Sequence, residues 1–151
     1  MNTNLRAFLD MIAHSEIGPA LLAGSDNGYD VLVGGGRFHE YHDHPRIVVD
    51  LGHGLKSSAA GRYQILMRYF DFYKVPLHLP DFSPASQDKI AIQLISECKA
   101  LPDIEAGRFD DALFKCRSRW ASLPGAGYDQ HENKAENLRA AYLKAGGTLA
   151  A

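Results

Sequence analysis

The chain has 151 residues, with 16 Lys and Arg against 18 Asp and Glu and a formal net charge of −2. That length suits one domain burying about two thirds of its unfolded surface without a metal or disulfide framework. The charge balance removes any counterion-release drive towards nucleic acid. No stretch approaches the ~20 apolar residues of a membrane span, and Met1–Arg6 carries no basic leader before an apolar run. A soluble protein made in the cytoplasm, without stable membrane insertion, is expected.

Thr3 or Asn4 is placed to cap a first helix reaching about Ile17, with Leu5, Phe8, Leu9 and Ile12 as its apolar stripe. The next position on that stripe is Glu16. A carboxylate directed at a core costs several kcal/mol unless it is paired, faces a cleft or stays protonated, and the last two describe a general acid. The alternative is that Glu16 reaches solvent from the last turn before Gly18-Pro19. Gly18, Pro19, Gly24, Asn27 and Gly28 then mark an irregular loop. Tyr29–Val33 and Ile47–Val49 read as short strands of a small antiparallel sheet, with Gly34-Gly35-Gly36 as a hairpin turn between them.

From about Ser58 the spacing of Tyr63, Leu66, Met67, Phe70 and Tyr73 predicts a helix ended by Val75-Pro76. Ser83 as cap and Pro84 at the first helical position open the next, with Ile90, Ala91, Leu94, Ile95 and Cys98 buried. Short helices are expected over 102–106 and 109–120. After the breaker cluster Leu123–Gly127, a last helix spans about Glu132 to Ala145, closed by Gly146-Gly147. The layout is α+β, a single domain over 1–151 with a sheet lobe at about 28–57. Cys98 and Cys116 fall on helical faces and read as reduced, packed thiols.

Few side chains suggest chemistry. Gly61-Arg62-Tyr63-Gln64 is expected to open the helix after the sheet, where the Gln64 amide, both donor and acceptor, suits an N-acetyl group or a sugar hydroxyl as well as plain surface. Tyr128 follows a rigid Gly-Pro-rich loop and either stacks on a ligand or plugs the core. Asp26, Asp30, Asp43 and Asp50 fall in the loop and sheet region. Asp30, flanked by strand residues, faces either a cleft or solvent. His39, Glu40, His42, Asp43 and His44, with His53 nearby, have ligand chemistry but lack a helical H-x-x-x-H pair, so they read as solvated turn residues and no metal or other cofactor is expected. No nucleophile elbow or phosphate loop is present in the sequence.

Ala7-Phe8-Leu9-Asp10-Met11 leading to Ser15-Glu16, Gly28-Tyr29-Asp30-Val31 with Val33-Gly34-Gly35, and Asp43-His44-Pro45-Arg46 follow one another in order. Gly61-Arg62-Tyr63-Gln64, Asp81-Phe82-Ser83-Pro84 with Ser86-Gln87-Asp88, and Trp120–Tyr128 complete the series. Together they resemble the phage lambda endolysin family of peptidoglycan lytic transglycosylases. Ile17 stands where that family tends to have Gly, and the histidines at 39, 42 and 53 are not part of its pattern.

The resemblance implies a lysozyme-like fold, with a helical lobe, a small sheet lobe and a cleft between them. It makes Glu16 the acid/base and Ser15, Asp30, Tyr63, Gln64 and Tyr128 glycan-binding residues. It further implies a monomer acting on peptidoglycan strands in the periplasm, released from the host cytoplasm through a separate phage membrane pore protein. One rival is a hydrolytic muramidase in which Asp30 or Asp26 positions water or forms a covalent link. Two others are a non-catalytic peptidoglycan-binding or phage-structural module and a metal-dependent peptidase.

Overall fold

The structure, a computed structural model, describes residues 1–128 and 130–151. Its elements in chain order are α1 (Thr3–Glu16), α2 (Pro19–Ala23), β1 (Val49–Asp50), β2 (Lys56–Ser57), α3 (Met67–Lys74), α4 (Pro84–Glu97), α5 (Leu101–Glu105), α6 (Phe109–Cys116) and α7 (Ala135–Lys144). They fall into two compact units, residues 1–16 with 92–151 and residues 17–91.

The first unit is built on α1. Leu5, Phe8, Leu9 and Ile12 are all buried, and α1 packs against α5 and α7. Each such side chain contributes about 1.5–3 kcal/mol on leaving water. Phe8 meets Phe109 edge-on at 6.0 Å between ring centroids, and Phe109 lies 4.7 Å from Tyr142. The cap of α1 is Asn2, whose Oδ1 accepts from the amides of Asn4 and Leu5 at 2.8 and 3.2 Å. Thr3 and Asn4, the expected caps, lie inside the helix. Asn4 is thereby left to tie down the C-terminal segment: its Oδ1 accepts from the Thr148 amide and hydroxyl at 3.0 and 3.1 Å. Helix α6 stops at Cys116 rather than Trp120, and α7 begins at Ala135 rather than Glu132. Glu132 and Asn133 are withheld from α7 because both bond back to the preceding loop.

The second unit has less regular structure than its sequence suggests. Tyr29–Val33 is a series of turns, closed by Tyr29 N–H on Asp26 O at 2.9 Å and Val31 N–H on Gly28 O at 3.3 Å, with only isolated bridges from Val31 to Arg37 and from Leu32 to Ala60. Ile47 and Val48 are exposed and outside any strand. The antiparallel pair is the two-residue hairpin β1–β2, Val49 opposite Ser57 and Asp50 opposite Lys56. The β-branched runs were misleading because Gly28 at φ +83° and Gly34 and Gly35 at φ +86° and +99° turn the chain before a ladder can extend. The Gly34–Gly36 turn itself forms as expected, with Leu32 N–H on Gly36 O at 2.7 Å.

The helix expected from about Ser58 begins only at Met67. Residues 60–65 instead form a tight turn in which Ala60 and Ile65 exchange backbone bonds at 3.1 and 2.8 Å and Gln64 N–H reaches Gly61 O at 3.1 Å. The cause lies at Gly61, at φ +83°, where a Cβ would collide with Oε1 of the fully buried Gln87. Gln87 Oε1 accepts from Arg62 N–H at 3.0 Å, and its Nε2 donates to Tyr29 O and Phe82 O at 3.1 and 3.0 Å. Helix α4 opens as expected, Pro84 at its first position and Ser83 Oγ accepting from Ser86 N–H at 3.4 Å.

His44 departs from the expected solvated turn residue. It is 2% exposed, packed 4.8 Å from the Phe82 ring and 6.1 Å from Phe70. Its Nδ1 accepts from Arg46 N–H at 3.0 Å and its Nε2 faces Ile65 O at 2.9 Å, which fixes the neutral tautomer protonated at Nε2. Burial lowers its pKa accordingly.

Candidate active site

Glu16 is the last residue of α1, and its side chain is half-buried. Among the described residues, no cation pairs with its carboxyl. Burial raises its pKa from 4.5 to about 7, opposed by a hydrogen bond from Ser122. The carbonyl-rich end of α1 acts in the same direction as burial, since a negative charge is disfavoured at a helix C-terminus. A carboxyl held near neutrality both gives and takes a proton at physiological pH.

The groups behind Glu16 come from distant sequence. Ser122 Oγ–H donates to Glu16 Oε2, and Ser122 Oγ lies 2.7 Å from Ser15 Oγ. Asn133 Nδ2 donates to Ser15 Oγ and to Ser15 O, both at 3.0 Å, while Asn133 N–H donates to Ser122 O at 2.8 Å. Glu132 braces the same loop by accepting from the amides of Gly125 and Gly127 at 2.8 and 3.1 Å. Those bonds favour its ionised form and lower its pKa.

The other expected site residues occupy varied surroundings. Ser15 is nearly buried, and its hydroxyl is engaged by Ser122 and Asn133. Tyr128 stands out from the 122–133 loop, 52% exposed, with its hydroxyl donating to Ser118 O at 2.6 Å. It is not a core plug.

Three expected residues belong to the second unit. Tyr63 is 1% exposed, and its hydroxyl donates to Asp88 Oδ1 at 2.6 Å while accepting from Arg62 Nη1 at 3.0 Å. Burial first, then the balance of charges around it, pushes its pKa up. Asp88 Oδ1 also accepts from Tyr29 at 2.9 Å, so Tyr63 pins the 60–65 turn to α4. Gln64 sits at φ +52°, half-buried, its Nε2 donating to Gly61 O at 2.9 Å and Val31 O at 3.3 Å. Asp30 is buried: its Oδ2 accepts from Arg37, with Nε at 2.8 Å, and its Oδ1 accepts from Asp26 N–H at 2.9 Å. Asp26 in turn accepts from Tyr41 at 2.6 Å.

Sequence reasoning did not single out Ser122 or Asn133. Ser122 lay inside a recognised block without a role. Asn133 is 118 positions from Ser15, and no spacing rule links two residues so far apart. Among the described residues, no group of three or more His, Cys, Asp or Glu is placed to hold a metal ion, and no helix is long and apolar enough to cross a membrane.

The fold is that of a lysozyme. The chain superposes on bacteriophage lambda lysozyme complexed with a chitohexasaccharide with a TM-score of 0.94 and 50% identity, covering 99% of this chain and 97% of that one. A second structure of lysozyme from bacteriophage lambda gives 0.89 and 49% over the same shares. At sequence level the chain is 50% identical to the endolysin of Escherichia phage lambda, covering 99% of this chain and 95% of the relative, and 48% identical to that of Escherichia phage P2, covering 97% and 95%. The Endolysin family model matches residues 6–149. The chain belongs to the endolysin family, and with it to the enzymes that break down the bacterial cell wall.

Proposed function

We propose that the protein is a lytic transglycosylase that cleaves the β-1,4 bond between N-acetylmuramic acid and N-acetylglucosamine in peptidoglycan, with Glu16 as its single acid/base. The observation that carries this reading is the Glu16 carboxyl itself, poised near neutrality by burial and held by a hydroxyl rather than by a cation. Protonated Glu16 gives its proton to the glycosidic oxygen as the bond to the muramic anomeric carbon breaks. The substrate's acetamido oxygen stabilises the positive charge developing at that carbon. Glu16, now ionised, takes the proton from the muramic C6 hydroxyl as its oxygen attacks the anomeric carbon. The product is a 1,6-anhydro end, and no water is consumed.

The surroundings of Asp30 and Asp26 favour this route over hydrolysis by a second carboxylate. Both oxygens of Asp30 accept hydrogen bonds, from Arg37 and from the Asp26 amide, so that carboxylate has no uncommitted oxygen to offer as nucleophile, and Asp26 already accepts from Tyr41. Glycan contacts are assigned to Tyr128, whose ring is exposed, and to the Gln64 amide. Ser15, Tyr63 and Asp30 act on the glycan through the shape of the loops they hold. The substrate is the cell-wall glycan strand, reached by a monomer in the periplasm after release from the host cytoplasm through a phage membrane pore protein.

Product mass tests the reaction. Muropeptides released by the wild-type protein should carry anhydro ends, and products heavier by one water as the main species would replace transglycosylation with hydrolysis.

A further inference from the structure

The bonds behind Glu16 have a direction. Asn133 Nδ2 lies 3.0 Å from Ser15 O, a carbonyl that can only accept, so the amide orientation is fixed with its nitrogen towards Ser15. The same nitrogen, which has no acceptor lone pair, lies 3.0 Å from Ser15 Oγ. Ser15 Oγ must therefore accept there, and its one hydrogen is free to go to Ser122 Oγ at 2.7 Å. Ser122 in turn spends its one hydrogen on Glu16 Oε2. Run the other way, with a proton on Oε2 donated to Ser122, Ser15 Oγ would accept from both neighbours and its own hydrogen would lose its acceptor in the chain. One direction satisfies every group, and the other strands a hydroxyl.

We propose that Asn133, Ser15 and Ser122 form a one-way hydrogen-bond chain that keeps Glu16 Oε2 an acceptor throughout turnover and makes Oε1 the oxygen that gives and takes the substrate's protons. The three are positioning residues, acting only through Glu16. The chain is anchored where it starts: Asn133 N–H closes on Ser122 O at 2.8 Å, so the first and last links of the loop hold each other. Glu132, bonded to the Gly125 and Gly127 amides, braces that stretch of the loop. The chain also serves both halves of the reaction. With Oε1 protonated it fixes the carboxyl's rotation, and once that proton has left, the Ser122 donor stabilises the carboxylate until the C6 hydroxyl returns one. The Ser122 bond is the influence that opposes burial at Glu16.

This inference rests on Glu16 being the acid/base, and its test separates the two ideas. The carboxyl carbon of Glu16 is followed by 13C NMR against pH, beside the pH profile of kcat on glycan-strand oligomers, in wild type, Ser122→Ala, Ser122→Thr and Asn133→Ala. In Ser122→Ala the Glu16 midpoint should rise by about one pH unit. The alkaline limb of kcat should rise with it, and kcat should fall about tenfold with KM unchanged. Ser122→Thr, which keeps the hydroxyl, should restore both, and Asn133→Ala should shift them the same way by less. A folded Ser122→Ala protein whose Glu16 midpoint stays put or falls overturns the chain. If Ser122→Ala does not fold, an unshifted midpoint in Asn133→Ala overturns it equally. A Glu16→Gln enzyme that keeps its activity would remove the acid/base reading while leaving the NMR shift to judge the chain alone.

Discussion

Two carboxyls in the first unit show how opposite surroundings move one chemical group's pKa in opposite directions. Asp103, within α5, is 5% exposed and bonded to Arg108 Nε at 2.8 Å and Lys115 Nζ at 2.6 Å. Those donors hold its pKa below the usual 3.8. Glu16, at the end of α1, accepts from the Ser122 hydroxyl and has no ion pair among the described residues, and its pKa rises. Asp103 is an ionised staple joining α5 to α6. Glu16 has only a hydroxyl to offset its burial, the environment expected of the acid/base role proposed for it.

The sharpest way to break this comparison is Glu16→Gln. Gln keeps the shape and can still accept from Ser122, but it carries no transferable proton. Cell-wall clearing should fall by about 10³-fold or more, with circular dichroism unchanged. If clearing persists, Glu16 is no more than a second buried carboxyl, and the binding-module or structural reading takes its place.

The converse substitution is Asp103→Ala. It should leave kcat unchanged and cost about 2 kcal/mol at pH 7, discounted because Arg108 and Lys115 are both partly exposed and turn to water. For a chain of this size that lowers Tm by about 4–8 °C. The sign of its pH dependence follows from the lowered pKa. The stabilisation is full above the unfolded value of 3.8 and is lost as pH falls through the folded one. Wild type and variant should therefore differ in Tm at pH 7 and converge as pH falls through the lowered folded pKa, below 3.8.

How legible each region was in the sequence follows from the range of the forces involved. Helix α1 was readable with Glu16 on it, because a 3.6-residue stripe is a local signal, and so was the start of α4 at Ser83-Pro84. Between Tyr29 and Tyr63 the Gly34–Gly36 turn and a small antiparallel pair are present, but the strand over Tyr29–Val33 and the helix start near Ser58 are not. The β-branched and aromatic residues of this run are the ones strands favour, yet the course of the backbone is set by turns at Gly28, Gly34 and Gly61 and by Gln87, which lies 26 positions beyond Gly61. The recognised blocks carried the family. They could not say that Tyr63 would be spent on Asp88, or Asp30 on Arg37, because those pairings depend on which loops meet. Asn133 lies at the same limit: an ordinary polar residue near the start of a helix, given its place only by tertiary structure.

The smallest effect is also the finest test of the comparison, because it reads Glu16 through stability rather than through activity. A carboxyl whose pKa is raised on folding, here from 4.5 to about 7, binds its proton more tightly in the native state. Its contribution is therefore fully present below pH 4.5 and is lost as pH rises through 7, the reverse of Asp103. Gln never ionises and escapes that loss. Glu16→Gln should match wild type in stability near pH 4 and exceed it near pH 8 by about 1–3 kcal/mol, a figure reduced for the side chain's partial exposure. Urea titrations at the two pH values measure the difference. A variant no more stable than wild type at pH 8 would mean that the native protein satisfies the Glu16 carboxylate as fully as it satisfies Asp103, and the contrast between the two groups would disappear.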